Sequence, residues 1–425
     1  MLLVTTLTVL SLCQLYLPLT GSTDTNTKKN ACTRFGDYPL KEHSPDCYEN
    51  PNVLSSTVKM IRQSGYDVQE HDVVTGDGYK SRIFRIPVRD NDNRKNKQPV
   101  VLQHGVLVNS AVWTWAGNRS LAFVLANAGY DVWLANQRDS GYTTHKTYKT
   151  SDYNFWSNSL DTVAAYDVPA ILNTVALATN KSGSIIYIGH SRGSTVLFMY
   201  ACEHPEEAQK LLAGFIAIAP IVYLEPVSSI RIISQNGPFL GEFFQTLRTS
   251  VFFYPTELTV NFFQILCTNS PYVCLFIVNM VSGRTSQFSP EDLLAYFSIY
   301  PGTVSVMQLL HYSQLTNSGN FQKFDYGREE NLLRYKQEKP SLYNLSNFKL
   351  PTYMFYGKQD VLLKEEGVKK IFQELGSSEK GYFKVPSGTE DDKWQFGHSD
   401  FVWSRYVEES FYKDLFKILD KLQAK

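Results

Sequence analysis

The run Ile185-Ile186-Tyr187-Ile188-Gly189-His190-Ser191-Arg192-Gly193 constrains the fold more than any other stretch of the chain. Four β-prone apolar residues lead into Gly-x-Ser-x-Gly, and the apolar stretch 196–201 follows at once, so the order is strand, very tight turn, helix. Gly189 and Gly193 let the strand and helix backbones approach where a Cβ would hinder them. Ser191 is then expected in a strained turn, its hydroxyl exposed and the next backbone N–H aimed at an incoming carbonyl oxygen. An ordinary Gly/Ser loop has no need of a strand before it and a helix after it.

Strand and helix patterns alternate on both sides of this turn. Residues 58–65 read as a short helix stopped by glycine, and 67–74 and 79–87 as two strands joined through Thr75-Gly76-Asp77-Gly78. The charged run 89–97 reads as a solvated loop. A buried strand over 99–103 ends in His104-Gly105, where a second donor to a carbonyl oxygen is expected. A helix over 120–128, a strand over 130–135 and a helical region over 153–178, interrupted at Pro169, precede the serine; a helix to about Lys210 and a strand over 213–220 follow it. From 221 to 348 the chain is mostly helical and aromatic-rich, and alternation resumes at 350–357. This order predicts an α/β class with a mostly parallel, doubly wound sheet and a helical cap inserted over the serine. The expected division is a signal peptide 1–22, a polar arm 23–56, core 57–220, cap or lid 221–348 and core 349–425. Within the cap, 260–281 is apolar enough to suggest a membrane span, but Asn261, Gln264, Asn269, Pro271 and Asn279 argue for a pair of cap helices able to meet lipid.

A serine hydroxyl needs a general base, and the base needs a carboxylate to hold its tautomer. Of the eight histidines, His104 and His190 sit inside the motifs already described, and only His398 follows the late strands, in the loop Phe396-Gly397-His398-Ser399-Asp400. The acid should lie between these residues. Asp360 directly follows the strand over 352–356, at the end where α/β sheets carry function; Asp325, Asp391 and Asp392 follow no buried strand.

Residues 2–19 are uncharged and mostly apolar, and small residues follow at Gly21 and Ser22, as in a secretory leader; no Lys or Arg precedes the run, which leaves an uncleaved anchor as the alternative. Without Cys13, five cysteines remain, an odd number; Cys32–Cys47 and Cys267–Cys274 are the expected bridges and Cys202 the expected buried thiol. Asn118, Asn180 and Asn344 head glycosylation sequons. Equal numbers of basic and acidic residues, 41 of each, point away from nucleic acid as a partner. Aromatic residues make up 14% of the chain, enough to build both a core and an apolar pocket. No Cys/His spacing resembles a metal site, and no cofactor is expected.

These residues resemble the acid lipases of the α/β-hydrolase fold, the group of lysosomal acid lipase and gastric lipase. The similarity runs from about Asn50 to the C-terminus, through Asp77-Gly78-Tyr79, Leu102-Gln103-His104-Gly105, Asp131-Val132-Trp133-Leu134, Tyr166-Asp167-Val168-Pro169, the serine turn, His311-Tyr312-Ser313-Gln314 and Gly397-His398-Ser399-Asp400. The resemblance implies Ser191 as nucleophile, Asp360 as acid, His398 as base and the backbone N–H groups of Val106 and Arg192 as oxyanion hole. It implies a secreted or lysosomal enzyme that hydrolyses triacylglycerols and, in some members, sterol esters at a lipid–water interface. An esterase for small soluble esters and a non-catalytic lipid-binding protein are the alternative readings. Three departures stand out. Arg192 replaces the family's usual glutamine, a cation beside the site that is expected to bias pH response or substrate choice by lowering the pKa of His398. Asn136-Gln137-Arg138-Asp139 has lost the glycine of the family's Asn-x-Arg-Gly and is expected to gain an Arg138–Asp139 pair. The cap cysteines are spaced differently from those of the vertebrate enzymes.

Overall fold

The computed structural model describes residues 29–423 apart from 89–97, 226–230, 232–233, 284–286 and 387–395. The expected leader 1–22, the charged run 89–97 and the competing Asp391 and Asp392 lie outside the described residues.

The central sheet has nine strands: β1 Gln69–Val74, β2 Tyr79–Ile86, β3 Pro99–Gln103, β4 Asp131–Ala135, β5 Thr143–His145, β6 Ile185–His190, β7 Leu212–Ile218, β8 Thr352–Gly357 and β9 Lys380–Val385. Their order is β9-β8-β7-β6-β3-β4-β2-β1, with β5 paired to β2. From β9 to β4 every neighbouring pair is parallel. The β1–β2 hairpin and β5 add an antiparallel corner.

β6 is buried along its whole length, which its unbroken apolar run requires of a strand covered on both faces. Ile185 and Tyr187 join one core, with Ile171, Val175 and Phe198; Ile186 and Ile188 point to the other, with Leu121, Phe411 and Leu415. The chain runs from β3 outward to β4 and then crosses back to β6 on β3's other side. That reversal opens a crevice at the carboxyl ends of β3 and β6, where open α/β sheets bind ligands.

Between β7 and β8 the chain leaves the sheet for a mostly helical insertion. It includes Gly237–Thr246, α2 (Glu257–Asn269), α3 (Pro271–Ser282), α4 (Val306–Ser318) and Arg328–Tyr335, after α1 (Arg192–Glu203) of the core. A short antiparallel ladder joins Val251–Phe253 to Val304–Ser305. α2 and α3 meet at an angle of 113°, so the apolar stretch at 260–281 is two short helices. Cys267 is bonded to Cys274 across that bend, Cys32 to Cys47 across the ladder of Ala31–Cys32 with Cys47–Tyr48, and Cys202 is buried and free. The described part of the N-terminal arm is thus a closed loop, with buried Tyr38 donating to Pro290 O at 2.6 Å.

Several local expectations need correction. The helix before β6 is not broken at Pro169: it runs over Leu160–Thr179 as one element. A π turn at Val163–Asp167 ends two residues before the proline, and its wider path makes room for the ring where no amide is available. The helix after the serine ends at Glu203, and Pro205 starts a second one, Pro205–Leu211, at a position that suits its missing N–H. β5 and β9 carried no clear signal. β5 has only three residues, and β9 is a partly exposed edge strand without an apolar run.

Candidate active site

Ser191 sits between β6 and α1 with φ 54° and ψ −117°, a region that non-glycine residues avoid at a cost of about 1–3 kcal/mol. The turn is held closed by backbone packing. A Cβ on Gly189 would lie 2.7 Å from Gly193 C and Ser194 N, and one on Gly193 would lie 2.5 Å from Gln103 O of β3. Ser191 N–H donates to Ile218 O at 2.9 Å, and Ser194 Oγ donates to Gly189 O at 2.6 Å. Strand, turn and helix therefore hold the strained serine between them.

His398 reaches this serine from a loop more than two hundred residues away in sequence. Its Nε2 lies 2.8 Å from Ser191 Oγ, and its Nδ1 lies 2.7 Å from Asp360 Oδ2. The other carboxylate oxygen, Oδ1, accepts the N–H groups of Leu362 at 2.8 Å and Leu363 at 3.1 Å. All three side chains are buried, so Ser191, expected from the turn to expose its hydroxyl, is instead covered by the residues that fold around it. Gly357 lets the loops meet, since a Cβ there would collide with Phe396 O, and Gln359 N–H donates to that same carbonyl at 2.9 Å. The His398 loop is anchored on its other flanks as well. His398 N–H donates to Ser282 O of α3 at 2.6 Å, and Asp400 accepts Gly397 N–H at 2.6 Å and Trp403 Nε1–H at 2.7 Å. Sequence reading missed Asp400 as a loop anchor; its place two residues after the histidine was the available signal.

The neighbouring histidines differ in environment. Burial, and then the Arg192 charge, pull His104 down to about 3. Burial, and then His398, pull His190 down to about 3, with His190 Nε2 bonded to His398 O at 2.9 Å. Both rings are neutral near pH 7, so neither adds charge beside Ser191.

Gly105 packs against the serine turn, where a Cβ would lie 3.2 Å from both Ser191 Cβ and His190 Nδ1. Val106, the residue expected to supply one oxyanion donor, directly follows this glycine in sequence. Arg192 is the first residue of α1, so its N–H is among the first-turn amides that have no intrahelical acceptor. Its guanidinium is fully buried and bonded to Asp139 and, at 2.8 Å, to Gln308 Oε1. Its charge thus meets a carboxylate, an ion pair that the chain order did not foretell. Two of the three departures from the family pattern are therefore one contact. The arginine beside Asp139 in sequence points elsewhere: Arg138 Nη2 bonds Asp167 Oδ1 at 2.6 Å and Arg138 Nη1 bonds Asp77 Oδ2 at 2.7 Å, with Tyr79 stacked under the guanidinium. Sequence reading had no means to sort these partners.

Asn118, Asn180 and Asn344 are all exposed. Among the described residues no three His, Cys, Asp or Glu side chains gather as a metal site would need.

Comparison with known proteins gives a consistent result. Residues 98–390 match the alpha/beta hydrolase fold family, and 57–117 match the partial alpha/beta-hydrolase lipase region. Gastric triacylglycerol lipase of Rattus norvegicus is 32% identical over 386 residues, covering 87% of this chain and 93% of the relative. Lipase 3 of Drosophila melanogaster is 32% identical over 377 residues, 86% and 92% of the two chains. Lipase member K of Mus musculus is 30% identical over 398 residues, 90% and 95%. Among solved structures, a soluble variant of monoglyceride lipase from Saccharomyces cerevisiae superposes with a TM-score of 0.51 at 18% identity, covering 84% of this chain and 95% of that one, which bears on the fold alone.

Proposed function

Since the chain belongs to the lipase family of the α/β-hydrolase fold and is a carboxylic ester hydrolase, we propose that it cleaves neutral lipid esters, triacylglycerols and sterol esters among them, through an acyl-enzyme on Ser191. The observation that carries this reading is one imidazole, His398, bonded to Asp360 at one nitrogen and to Ser191 at the other. As Ser191 Oγ attacks the ester carbonyl, His398 Nε2 takes the hydroxyl proton. Asp360 keeps the proton on Nδ1 in the resting state and stabilises the imidazolium that forms. The N–H groups of Val106 and Arg192 receive the developing oxyanion. Collapse of the tetrahedral intermediate expels the alcohol, which takes its proton from His398. Water then attacks the acyl-enzyme with His398 as base; its collapse releases the fatty acid and returns the proton to Ser191 Oγ.

In this reading the insertion 221–348 is the cap over the site. Support for a lipid interface comes from α2 and α3, which expose Leu258, Phe262, Ile265, Tyr272, Val273 and Phe276, with no charged residue from 258 to 283. A cavity of about 130 Å³, walled by Val108, Phe253, Val260, Phe263 and Phe297 together with polar Asn109 and Ser140 and by none of Ser191, Asp360 and His398, has room for part of an acyl chain. The two disulfides, the apolar leader 1–22 and the exposed Asn118, Asn180 and Asn344 support a secretory route, with the protein outside the cell or in lysosomes.

The test is hydrolysis of emulsified long-chain triacylglycerol and of a soluble short-chain ester from acid to neutral pH, with Ser191→Ala as blank. Turnover of the emulsion by the wild type and none by the variant is the expected result. Activity on the soluble ester alone would make the protein an esterase. Lipid binding without any turnover would refute the acyl-enzyme reading.

A further inference from the structure

Both backbone donors assigned to the oxyanion hole are braced from the helical insertion. Leu107, next to Val106, has a positive φ of 60° and accepts Gly302 N–H of the insertion at 2.5 Å. Arg192 carries the other donor, and its side chain reaches both Asp139 after β4 and Gln308 on α4. Gln308 is fixed in turn, its Nε2–H donating to Asn158 Oδ1 at 2.7 Å. Nearby, Ser305 Oγ–H is shared between Trp156 O at 2.6 Å and Asn158 O at 3.0 Å, so the insertion grips the core loop that orients Gln308.

Arg192, Asp139 and Gln308 are all fully buried. A buried guanidinium depends on its carboxylate: water cannot replace the partner without the side chain moving. Arg192 follows the nucleophile directly, so the side chain held by these contacts and the N–H assigned to the oxyanion belong to one residue. Among the described residues Nε and Nη2 of Arg192 have no hydrogen-bond partner, and Nη1 makes both contacts, to Asp139 and Gln308.

We propose that Asp139 and Gln308 are positioning residues, which clamp the Arg192 side chain so that its backbone N–H stays aimed at the oxyanion, Gln308 doing so only while the insertion is seated. This rests on the acyl-enzyme reading above. An oxyanion donor acts on charge that develops in the transition state, so loosening it lowers kcat and leaves KM in place. A contact that merely supports the fold lowers the melting temperature or the yield without changing kcat per active site.

The experiment measures kcat and KM on a soluble short-chain ester, per Ser191 titrated by an organophosphonate, for four proteins. They are the wild type, Asp139→Asn, Gln308→Ala and the double variant Arg192→Gln/Asp139→Asn. Asp139→Asn is expected to lose roughly 30-fold in kcat, below the ~10²–10³ seen on deleting a whole donor, with KM within twofold. Gln308→Ala should lose about fivefold by the same argument. The double variant, which removes the stranded charge, should regain about tenfold over Asp139→Asn. The proposal is overturned if kcat for Gln308→Ala and Asp139→Asn stays within twofold of wild type, if the loss falls on KM, or if the double variant recovers nothing. Should Asp139→Asn fail to fold, Gln308→Ala alone decides in the same way. An inactive wild type would instead refute the hydrolytic reading.

Discussion

Replacing Asp360 by asparagine should disable His398 through its tautomer, and the surrounding loop determines which way the new amide points. Oδ1 of Asp360 accepts two backbone N–H groups, from Leu362 and Leu363, while Oδ2 faces His398 Nδ1. In Asp360→Asn the amide oxygen must occupy the Oδ1 position, because an NH2 group there would face two donors and leave them unpaired. The amide NH2 is thereby turned toward Nδ1 and makes that nitrogen an acceptor. The proton moves to Nε2 and points at Ser191 Oγ, which can no longer be deprotonated by this ring. Wrong-tautomer variants of this kind lose about 10⁴-fold in kcat, or about 5 kcal/mol of transition-state stabilisation. Size and packing hardly change, so KM for a soluble ester should stay within about threefold of wild type and the melting temperature should move little. Steady-state kinetics with Ser191→Ala as the floor would measure it. A loss below about tenfold in kcat would refute the assignment of Asp360 as the partner of His398.

Gly189→Ala should separate β6 from α1, because its Cβ would meet three backbone atoms of residues 193 and 194 at 2.7–2.8 Å; a loss of about 3 kcal/mol or more is expected in chemical denaturation. Gly36→Ala, whose Cβ meets nothing within 4 Å, is the matched control, and equal stability of the two variants would contradict the close approach at the turn. Stability should also fall in acid. His104 and His190 are held near 3 in the folded protein by burial, followed by Arg192 and His398 respectively, so their stabilising contribution is full above the unfolded value of about 6.5 and is lost as pH falls through that value toward 3. From pH 7 to 5 the two together should cost about 4 kcal/mol, and His190→Gln should show a shallower decline; parallel curves for variant and wild type would refute the buried neutral state of His190.

How much of this molecule can be read along the chain depends on how local each feature is. The strand before Ser191 and the helix after it are legible because both glycines, the apolar run and the serine lie within one short segment. The order of strands and helices is legible for the same reason, and so is the helical insertion as a break in that order. Pro169 misleads because a proline ordinarily ends a helix, and only the π turn beside it restores the room it needs. β9 is hidden because an edge strand lacks the apolar run of a buried one.

Within the site, Asp360 and His398 could be reached from the sequence by elimination and position, since each follows a late strand or precedes the last helices. What the chain order could not supply is a distance, and the proposed acyl-enzyme chemistry rests on two of them, 2.7 Å and 2.8 Å about one ring. The same limit separates Arg138 from Arg192. Arg138 and Asp139 are neighbours in sequence, yet their side chains leave β4 for different partners: Arg138 goes to Asp77 and Asp167, and Asp139 goes to Arg192. By itself the sequence determined the strand–turn–helix around Ser191 and the α/β class, because those follow from local backbone preference and the period of apolar residues. Only the tertiary structure decided which charges are paired, because burial makes each ion depend on a partner that folding brings from elsewhere in the chain.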